Sequence, residues 1–94
     1  MNKYESVIII NPNLTEEALK ALEEKVTGLI NASGKVESVE NMGKKRLAYE
    51  IKKNREAVYM LFNFEANPDS ISELERNYRI TDEILKFITV RKEA

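Results

Sequence analysis

The stretch KVESVENMGKKRLAYEIKKNREAVYMLFNFE, residues 35–65, decides the fold, because it is a long hairpin placed between two helices. Residues 35–51 are predicted to form a long strand region, residues 56–65 form a second strand rich in aromatic side chains, and residues 52–55 form a polar turn between them. The tripeptide Asn-Met-Gly at residues 41–43 interrupts the first strand and predicts a bulge or kink. The stretch therefore predicts an antiparallel pair of strands in the middle of the chain.

A strand and a helix precede this hairpin. Residues 3–10 end in a β-branched run, and the turn signal Asn-Pro-Asn at residues 11–13 stops them. Residues 15–33 are typical of a helix that Thr15 caps, and Gly34 is predicted to end it in the left-handed conformation. Its apolar stripe consists of Leu19, Leu22, Val26, Leu29 and Ile30.

A second helix and a last strand follow the hairpin. Asn67 is predicted to cap the helix, Pro68 fits its first turn, and residues 84–91 form the strand. The buried stripe of this helix is predicted to be Ile71, Leu74 and Tyr78. The order βαββαβ, with short connections and right-handed crossovers, predicts an α+β, ferredoxin-like fold. We expect a single domain over residues 1–94, with a four-stranded antiparallel sheet and two helices on one face.

The face of the sheet away from the helices is also apolar in this sequence, whereas such faces are usually polar. If Phe62 and Phe64 meet the helices, strand alternation predicts that a second apolar set faces outward. This set is Val7, Ile9, Tyr59, Leu61, Ile88 and Val90. Two interpretations stay open: β-branched propensity with loops over part of the face, or an exposed apolar patch that a partner covers.

The composition excludes several classes of function. The chain has no cysteine and no histidine, so we expect no disulfide, no metal site, no cofactor and no histidine-based catalysis. The apolar run at residues 7–10 is too short for a signal peptide or a membrane span, and we expect no membrane association. The formal net charge is −1, so any nucleic-acid contact depends on local basic patches.

Residues 43–55 form the densest cationic segment, with six basic residues against one acid. Charges on an exposed edge strand can serve only to prevent edge-to-edge aggregation. A charge cluster at a turn can also be solvated without any binding role. From the charge alone, RNA contact is one interpretation among these.

The order of residues in this segment is more informative than its charge. Gly43 to Lys52 reads Gly-x-Lys-Arg-Leu-Ala-Tyr-x-Ile-Lys, which resembles the signature of one family, the sixth protein of the bacterial small ribosomal subunit. The chain departs from the family pattern at Glu50, where many members carry proline. The resemblance covers the whole chain and includes Tyr4-Glu5, Asn11-Pro12-Asn13-Leu14, Gly34, Asn67-Pro68 and Val90-Arg91-Lys92.

The resemblance implies a structural, non-enzymatic protein of the cytoplasmic small ribosomal subunit, with no small-molecule substrate. It also implies binding to the central domain of 16S ribosomal RNA, as a heterodimer with the eighteenth protein of the same subunit. Three positions on the edge strand match partner contacts, and two side chains of the outward set are assigned to the same partner. These residues are Lys45, Arg46, Tyr49, Tyr59 and Leu61. The positions that match RNA-facing basic residues are Lys3, Arg91 and Lys92.

Three rival functions are compatible with this fold. An RNA-recognition motif needs a Lys/Arg-Gly-aromatic run, whereas residues 57–64 contain no glycine and Tyr59 is their only outward aromatic. An enzyme is disfavoured, because the carboxylates follow helix-surface spacing and no glycine-rich loop exists to hold phosphate. A small-molecule-binding regulatory domain is the alternative, and a tight homodimer without an RNA partner would favour it.

Overall fold

The computed structural model describes residues 2–92, and its elements follow the predicted βαββαβ order. The sheet has four strands in the order β2-β3-β1-β4, and every neighbouring pair is antiparallel. This is the ferredoxin-like arrangement expected from the sequence. The elements are β1 (Asn2–Ile10), α1 (Glu16–Asn31), β2 (Gly34–Ile51), β3 (Asn54–Ala66), a 3-10 turn (Pro68–Ser70), α2 (Ile71–Arg79) and β4 (Ile84–Lys92).

The start of α1 is fixed by Thr15, as predicted. Thr15 has extended dihedral angles, and its side-chain oxygen accepts a hydrogen bond from the Ala18 amide at 3.1 Å. The predicted stripe of α1 faces the sheet: Leu22, Val26 and Ile30 are buried, and the two other leucines pack against the core. The helix therefore begins where the sequence places it and buries the predicted face.

The end of α1 differs from the prediction for Gly34. The helix is followed by Ala32 in a right-handed conformation, and Gly34 has no positive φ but forms the first residue of β2, paired with Ala66. A Cβ at this position would lie 2.1 Å from the carbonyl oxygen of Glu65 and 2.9 Å from the Ala66 Cα. The predicted left-handed stop is wrong, and glycine is needed here because two strands approach closely.

The start of α2 also differs in one detail. Asn67 precedes Pro68 as predicted, but its side chain makes no capping hydrogen bond. Its carbonyl oxygen instead accepts from the amide and the hydroxyl of Ser70, at 3.0 and 2.7 Å. The chain thus makes one 3-10 turn before α2 begins at Ile71. The predicted side-chain cap is wrong, because a backbone hydrogen bond from Ser70 to Asn67 forms at this end of the helix instead.

The core lies between the helices and one face of the sheet. Phe62 and Phe64 of β3 are completely buried there, together with Ile8 of β1 and Tyr78 of α2. The Tyr78 hydroxyl donates to the Ser6 hydroxyl at 3.4 Å, and the Ser6 and Thr89 oxygens are 2.8 Å apart. Burial raises the pKa of Tyr78 from 10.0 to about 12. This small polar network connects α2 to β1 and β4.

Candidate functional site

The face of the sheet away from the helices presents an apolar strip. Val7 lies between Leu61 of β3 and Ile88 of β4 in the strand register, and directly opposed residues share a face. Ile88 and Val90 are each 49% exposed, whereas Val7 and Leu61 are half-buried by their neighbours. The outward direction predicted for these side chains is therefore confirmed. We call these residues, Val7, Leu61, Ile88 and Val90, the apolar strip.

The far end of the same face is covered by the chain itself. Residues 47–50 of β2 lie opposite Arg55 alone, because Arg46 pairs with Glu56 and Ile51 pairs with Asn54. From this bulged segment, residues 47–50, Tyr49 extends to β4, where its hydroxyl is 3.0 Å from the Lys86 Nζ.

The Tyr49–Lys86 contact crosses the outer face of the sheet, since β3 and β1 lie between β2 and β4. Ile9, which lies between Tyr59 and Lys86 in the register, is only 7% exposed although it points outward. Both interpretations of this face thus hold in part. The Ile9 end is covered, and the apolar strip is open.

The predicted bulge at residues 41–43 is confirmed and sets the direction of the basic side chains. Asn41 pairs with Met60 and Gly43 pairs with Tyr59, so Met42 is the extra residue. Gly43 has a φ of 80°, and its amide donates to the Asn41 side chain at 2.8 Å. The extra residue shifts the alternation of β2 from this point onward.

Two predicted partner-binding residues are adjacent in β2 and therefore point to different faces, and the bulge determines which face each one takes. Lys45 lies opposite Ala57, on the outer face, with its Nζ 5.8 Å from the centroid of the Tyr59 ring. Arg46 lies opposite Glu56, on the parity that faces the helices, and is exposed beyond them. The structure therefore brings Lys45, Tyr59 and Leu61 together and places Arg46 on the other side of the edge strand.

The hairpin turn is tighter than the predicted residues 52–55. Ile51 pairs with Asn54, so only Lys52 and Lys53 form the turn, with φ angles of 47° and 67°. These are the φ angles of a type I′ turn, which fits the twist of a hairpin but normally uses Asn and Gly. Two lysines are thus held in a conformation that costs L-residues energy.

The predicted RNA-facing residues meet at the opposite end of the sheet. Lys3 pairs with Lys92 across β1 and β4, whereas Arg91 pairs with Tyr4 and points to the helix side. This end is about 20 Å from Ile9, at 3.3 Å per residue along β1. Lys3 has an ion pair with Glu37 at 3.7 Å.

Lys92 and Arg91 also contact nearby polar side chains. Lys92 contacts Glu5 at 3.4 Å and hydrogen-bonds to the Asn63 side chain. Arg91 donates to the Asn2 side chain at 3.4 Å. Lys3 and Lys92 thus share one face of the sheet and each has an ion pair with a carboxylate of the same chain, whereas Arg91 lies on the opposite face.

Sequence reasoning missed Lys86 as a member of this surface. Its hydrogen bond to Tyr49 positions the bulged segment over the outer face. The available signal is the alternation of β4, in which Lys86 shares the parity of Ile88 and Val90. The partner of Lys86 was not predictable, because no periodic pattern indicates that residues 47–50 leave the sheet edge.

The described residues were compared with the requirements of a metal-ligand cluster and of a membrane-spanning helix. Within residues 2–92, no three His, Cys, Asp or Glu side chains converge as metal ligands. Neither described helix is long and apolar enough to cross a membrane.

The comparison with protein families decides the assignment. The family model described as Ribosomal protein S6 matches residues 3–91. The chain belongs to the ribosomal protein S6 family. This assignment agrees with the resemblance of the segment Gly43 to Lys52.

Relatives of the S6 family match the chain over nearly its full length. It is 49% identical to the small ribosomal subunit protein bS6 of Clostridium perfringens (strain SM101 / Type A), over 99% of each chain. It is 45% identical to the bS6 protein of Heliobacterium modesticaldum, over 99% of this chain and 98% of that one. These relatives are named as ribosomal proteins, which confirms that the chain is not an enzyme.

A solved S6 structure has the same fold. The crystal structure of the 30S ribosomal protein S6 from Thermotoga maritima superposes with a TM-score of 0.92 at 41% sequence identity. The match covers 97% of this chain and 87% of that one. The strand order and the two-helix layer described above are therefore those of an S6 protein.

Proposed function

We propose that this chain is a structural constituent of the cytoplasmic small ribosomal subunit. In this role it binds the central domain of 16S ribosomal RNA together with the eighteenth small-subunit protein and supports subunit assembly. The observation that carries the proposal is the S6 family match over residues 3–91. The open apolar strip, on the same face of the sheet as Lys45 and Tyr59, supports a protein partner.

The partner protein docks on the outer face and the adjoining edge strand. Leu61 and Tyr59 supply half-buried apolar area, and Tyr49 is 63% exposed beside them. Exposed aromatic side chains of this kind are common interface anchors. Lys45 and Arg46, on opposite faces of β2, contact acidic groups of the partner on either side of the edge.

The RNA contacts come from the end of the sheet that carries Lys3, Arg91 and Lys92. A net charge of −1 gives this chain little electrostatic attraction for RNA on its own. A basic partner supplies much of the phosphate neutralisation, while this chain supplies shape and a docking surface. Joint binding therefore follows from the charge balance as well as from the apolar strip.

A binding titration tests this proposal. The ligand is a central-domain fragment of 16S ribosomal RNA, and this protein is added with and without the eighteenth small-subunit protein at two salt concentrations. We expect tight binding only with both proteins present. Equal, strongly salt-dependent binding by this protein alone would place the whole site on RNA. A tight homodimer that binds no RNA would instead support the regulatory-domain alternative.

A further inference from the structure

Two lysines, Lys52 and Lys53, form the tip of the β2–β3 hairpin, and we call this pair the hairpin tip. They are the only residues other than glycine in the range 2–92 that have positive φ angles, 47° and 67°. A type I′ turn favours Asn and Gly at these positions, because a Cβ disfavours the left-handed conformation. The two adjacent positive charges also repel each other. The choice of lysine at both positions therefore lowers the stability of the fold.

The charges of the hairpin tip are not neutralised within the described part of the chain. Lys52 and Lys53 are both exposed, and neither has a carboxylate within 4.0 Å among residues 2–92. The Arg55 Nε, just after the tip, lies 4.0 Å from a Glu50 carboxylate oxygen, and the Arg55 side chain is 81% exposed. An incoming anion therefore meets two ammonium groups that no ion pair of residues 2–92 has to release first.

The hairpin tip lies at the end of a two-stranded ribbon. Val58 is the last residue of β3 in this direction that pairs with β1, so residues 54–57 pair with β2 alone. The turn itself is closed by hydrogen bonds: Ile51 pairs with Asn54, and the Asn54 side-chain amide donates to the Lys52 carbonyl oxygen at 3.2 Å. The tip is therefore carried beyond the end of β1 in a defined backbone conformation.

Contacts with β4 support this ribbon. The Tyr49 hydroxyl lies 3.0 Å from the Lys86 Nζ. Lys52 lines a surface cavity together with Leu85 and Phe87 of β4. The ribbon thus lies against the body of the protein, and a segment that is already held in place loses little conformational freedom when it binds a partner.

The chemistry of the hairpin tip favours a phosphate backbone over a protein surface. Residues 52–55 carry no aromatic or large apolar side chain. Lysine is depleted in the cores of protein interfaces, whereas lysine and arginine neutralise the phosphates in complexes with nucleic acids. The two ammonium groups belong to separate side chains of an exposed turn, so each pairs with its own phosphate and they need not converge on one anion. A polymer with a charge at every unit fits this arrangement.

We propose that Lys52 and Lys53 bind backbone phosphates of the ribosomal RNA. The inference rests on the proposed ribosomal function and adds a second RNA contact. This contact lies at the opposite end of the sheet from Lys3 and Lys92, since Lys3 pairs with Glu65 at the far end of β3. A residue that breaks a local rule of folding is expected where function requires it. The two lysines that lower stability at the turn thus raise the affinity for RNA.

Replacing the hairpin tip by the sequence that a type I′ turn prefers tests the proposal. The tip variant Lys52→Asn/Lys53→Gly removes both charges and keeps the hairpin, so it should unfold at a higher denaturant concentration than wild type. Its affinity for central-domain RNA, measured with the eighteenth protein, should fall about threefold to tenfold, as the loss of two exposed ion pairs predicts. Its plot of log K against log salt should flatten by roughly 1.5–2. Because stability and affinity change in opposite directions, unfolding does not explain the loss.

A charge-matched control is the variant Lys20→Gln/Lys25→Gln, which removes two positive charges from α1. It should keep the wild-type affinity and salt slope, and equal behaviour of the two double variants would overturn the proposal. A tip variant less stable than wild type would also overturn it, because folding would then favour lysine at the turn. Binding of the tip variant to the eighteenth protein without RNA should be unchanged. Weaker binding there would assign the hairpin tip to the protein partner and overturn the RNA contact.

A second measurement separates failure of this inference from failure of the proposed function. A short double-stranded RNA of arbitrary sequence is titrated into the isolated protein at low salt, and amide chemical shifts are followed by NMR. We expect shifts at residues 51–54 that disappear at high salt and in the tip variant. Absence of these shifts in a protein that binds central-domain RNA with its partner would overturn the inference alone. Their presence in a protein that binds no central-domain RNA would overturn the proposed function alone.

Discussion

Tyr78 is the largest fully buried side chain, and its hydroxyl lies where water does not reach. Its one hydrogen-bond partner among the described residues is Ser6, which also contacts Thr89. Burial disfavours the charged phenolate, and the contact with Ser6 offsets only part of this effect. This raises the pKa of Tyr78 to about 12 and makes one core residue sensitive to alkaline pH.

Alkaline unfolding tests this feature. The pKa of Tyr78 is higher in the folded than in the unfolded chain, so its contribution is complete below pH 10 and is lost as pH rises towards about 12. A shift of this size corresponds to about 3 kcal/mol of the free energy of unfolding. Urea unfolding of Tyr78→Phe from pH 8 to 11.5 should show a flatter decline than wild type. A decline in Tyr78→Phe as steep as that of wild type would contradict the prediction.

Arg46 and Tyr49 carry the prediction for partner binding. Both are exposed, so Arg46→Ala and Tyr49→Ala should leave the fold intact. We expect each to weaken binding of the eighteenth small-subunit protein by roughly 1–3 kcal/mol, as truncated interface anchors do. Calorimetric titration measures the affinity, and thermal melting checks the fold. A variant that unfolds would show that the residue is structural and that its assignment to the interface is wrong.

At the scale of elements, the close approach of β2 and β3 at Gly34 gives a paired prediction. Gly34→Ala places a Cβ 2.1 Å from the Glu65 carbonyl oxygen, so the strands must separate. We expect a loss of about 1–3 kcal/mol in the free energy of unfolding. Gly28→Ala, in the last turn of α1 with no atom within 4 Å of the new Cβ, should instead raise the free energy of unfolding by up to about 1 kcal/mol. Denaturant unfolding measures both, and two changes of the same sign would contradict this account.

The hairpin turn offers a second prediction at this scale. Lys53 has a φ of 67°, which glycine adopts without steric cost. Lys53→Gly should therefore raise the free energy of unfolding by about 0.5–1 kcal/mol, after the greater freedom of glycine in the unfolded chain is subtracted. Lys53→Ala removes the same charge but keeps the Cβ, so it should show no gain in denaturant unfolding. An equal gain in both variants would mean that charge repulsion, not backbone conformation, is relieved.

At the level of single elements, the buried faces can be predicted from the periodicity of the sequence, whereas close approaches between two strands cannot. The stripe of Leu22, Val26 and Ile30 and the alternation of β3 follow from side-chain spacing, which is a local property. The role of Gly34 depends on the position of Glu65 in another strand, which no local pattern contains. The bulge at residues 41–43 was predictable, because glycine in a strand is itself a local signal.

For the whole molecule, only part of the candidate site could be predicted from the sequence. The outward apolar set followed from parity once the phenylalanine face was assigned to the helices. The cover over Ile9 was not predictable, because Tyr49 reaches Lys86 across two intervening strands. Contacts between distant strands can be predicted only when the tertiary arrangement is known, whereas the fold class follows from local patterns in the sequence.

The position of β1 in the sheet has a consequence for biosynthesis. Of the four strands, β1 is translated before the others, but Asn2 pairs with Ala66 and Lys3 pairs with Lys92, so both partners are made much later. At 5–20 residues per second, the apolar run at residues 7–10 waits roughly 3–10 seconds for β3. Such pairings give a high contact order and slow, late folding. The nascent chain therefore completes its central strand only when its last strand has left the exit tunnel, and a chain that stops before β4 leaves β1 as an unprotected edge.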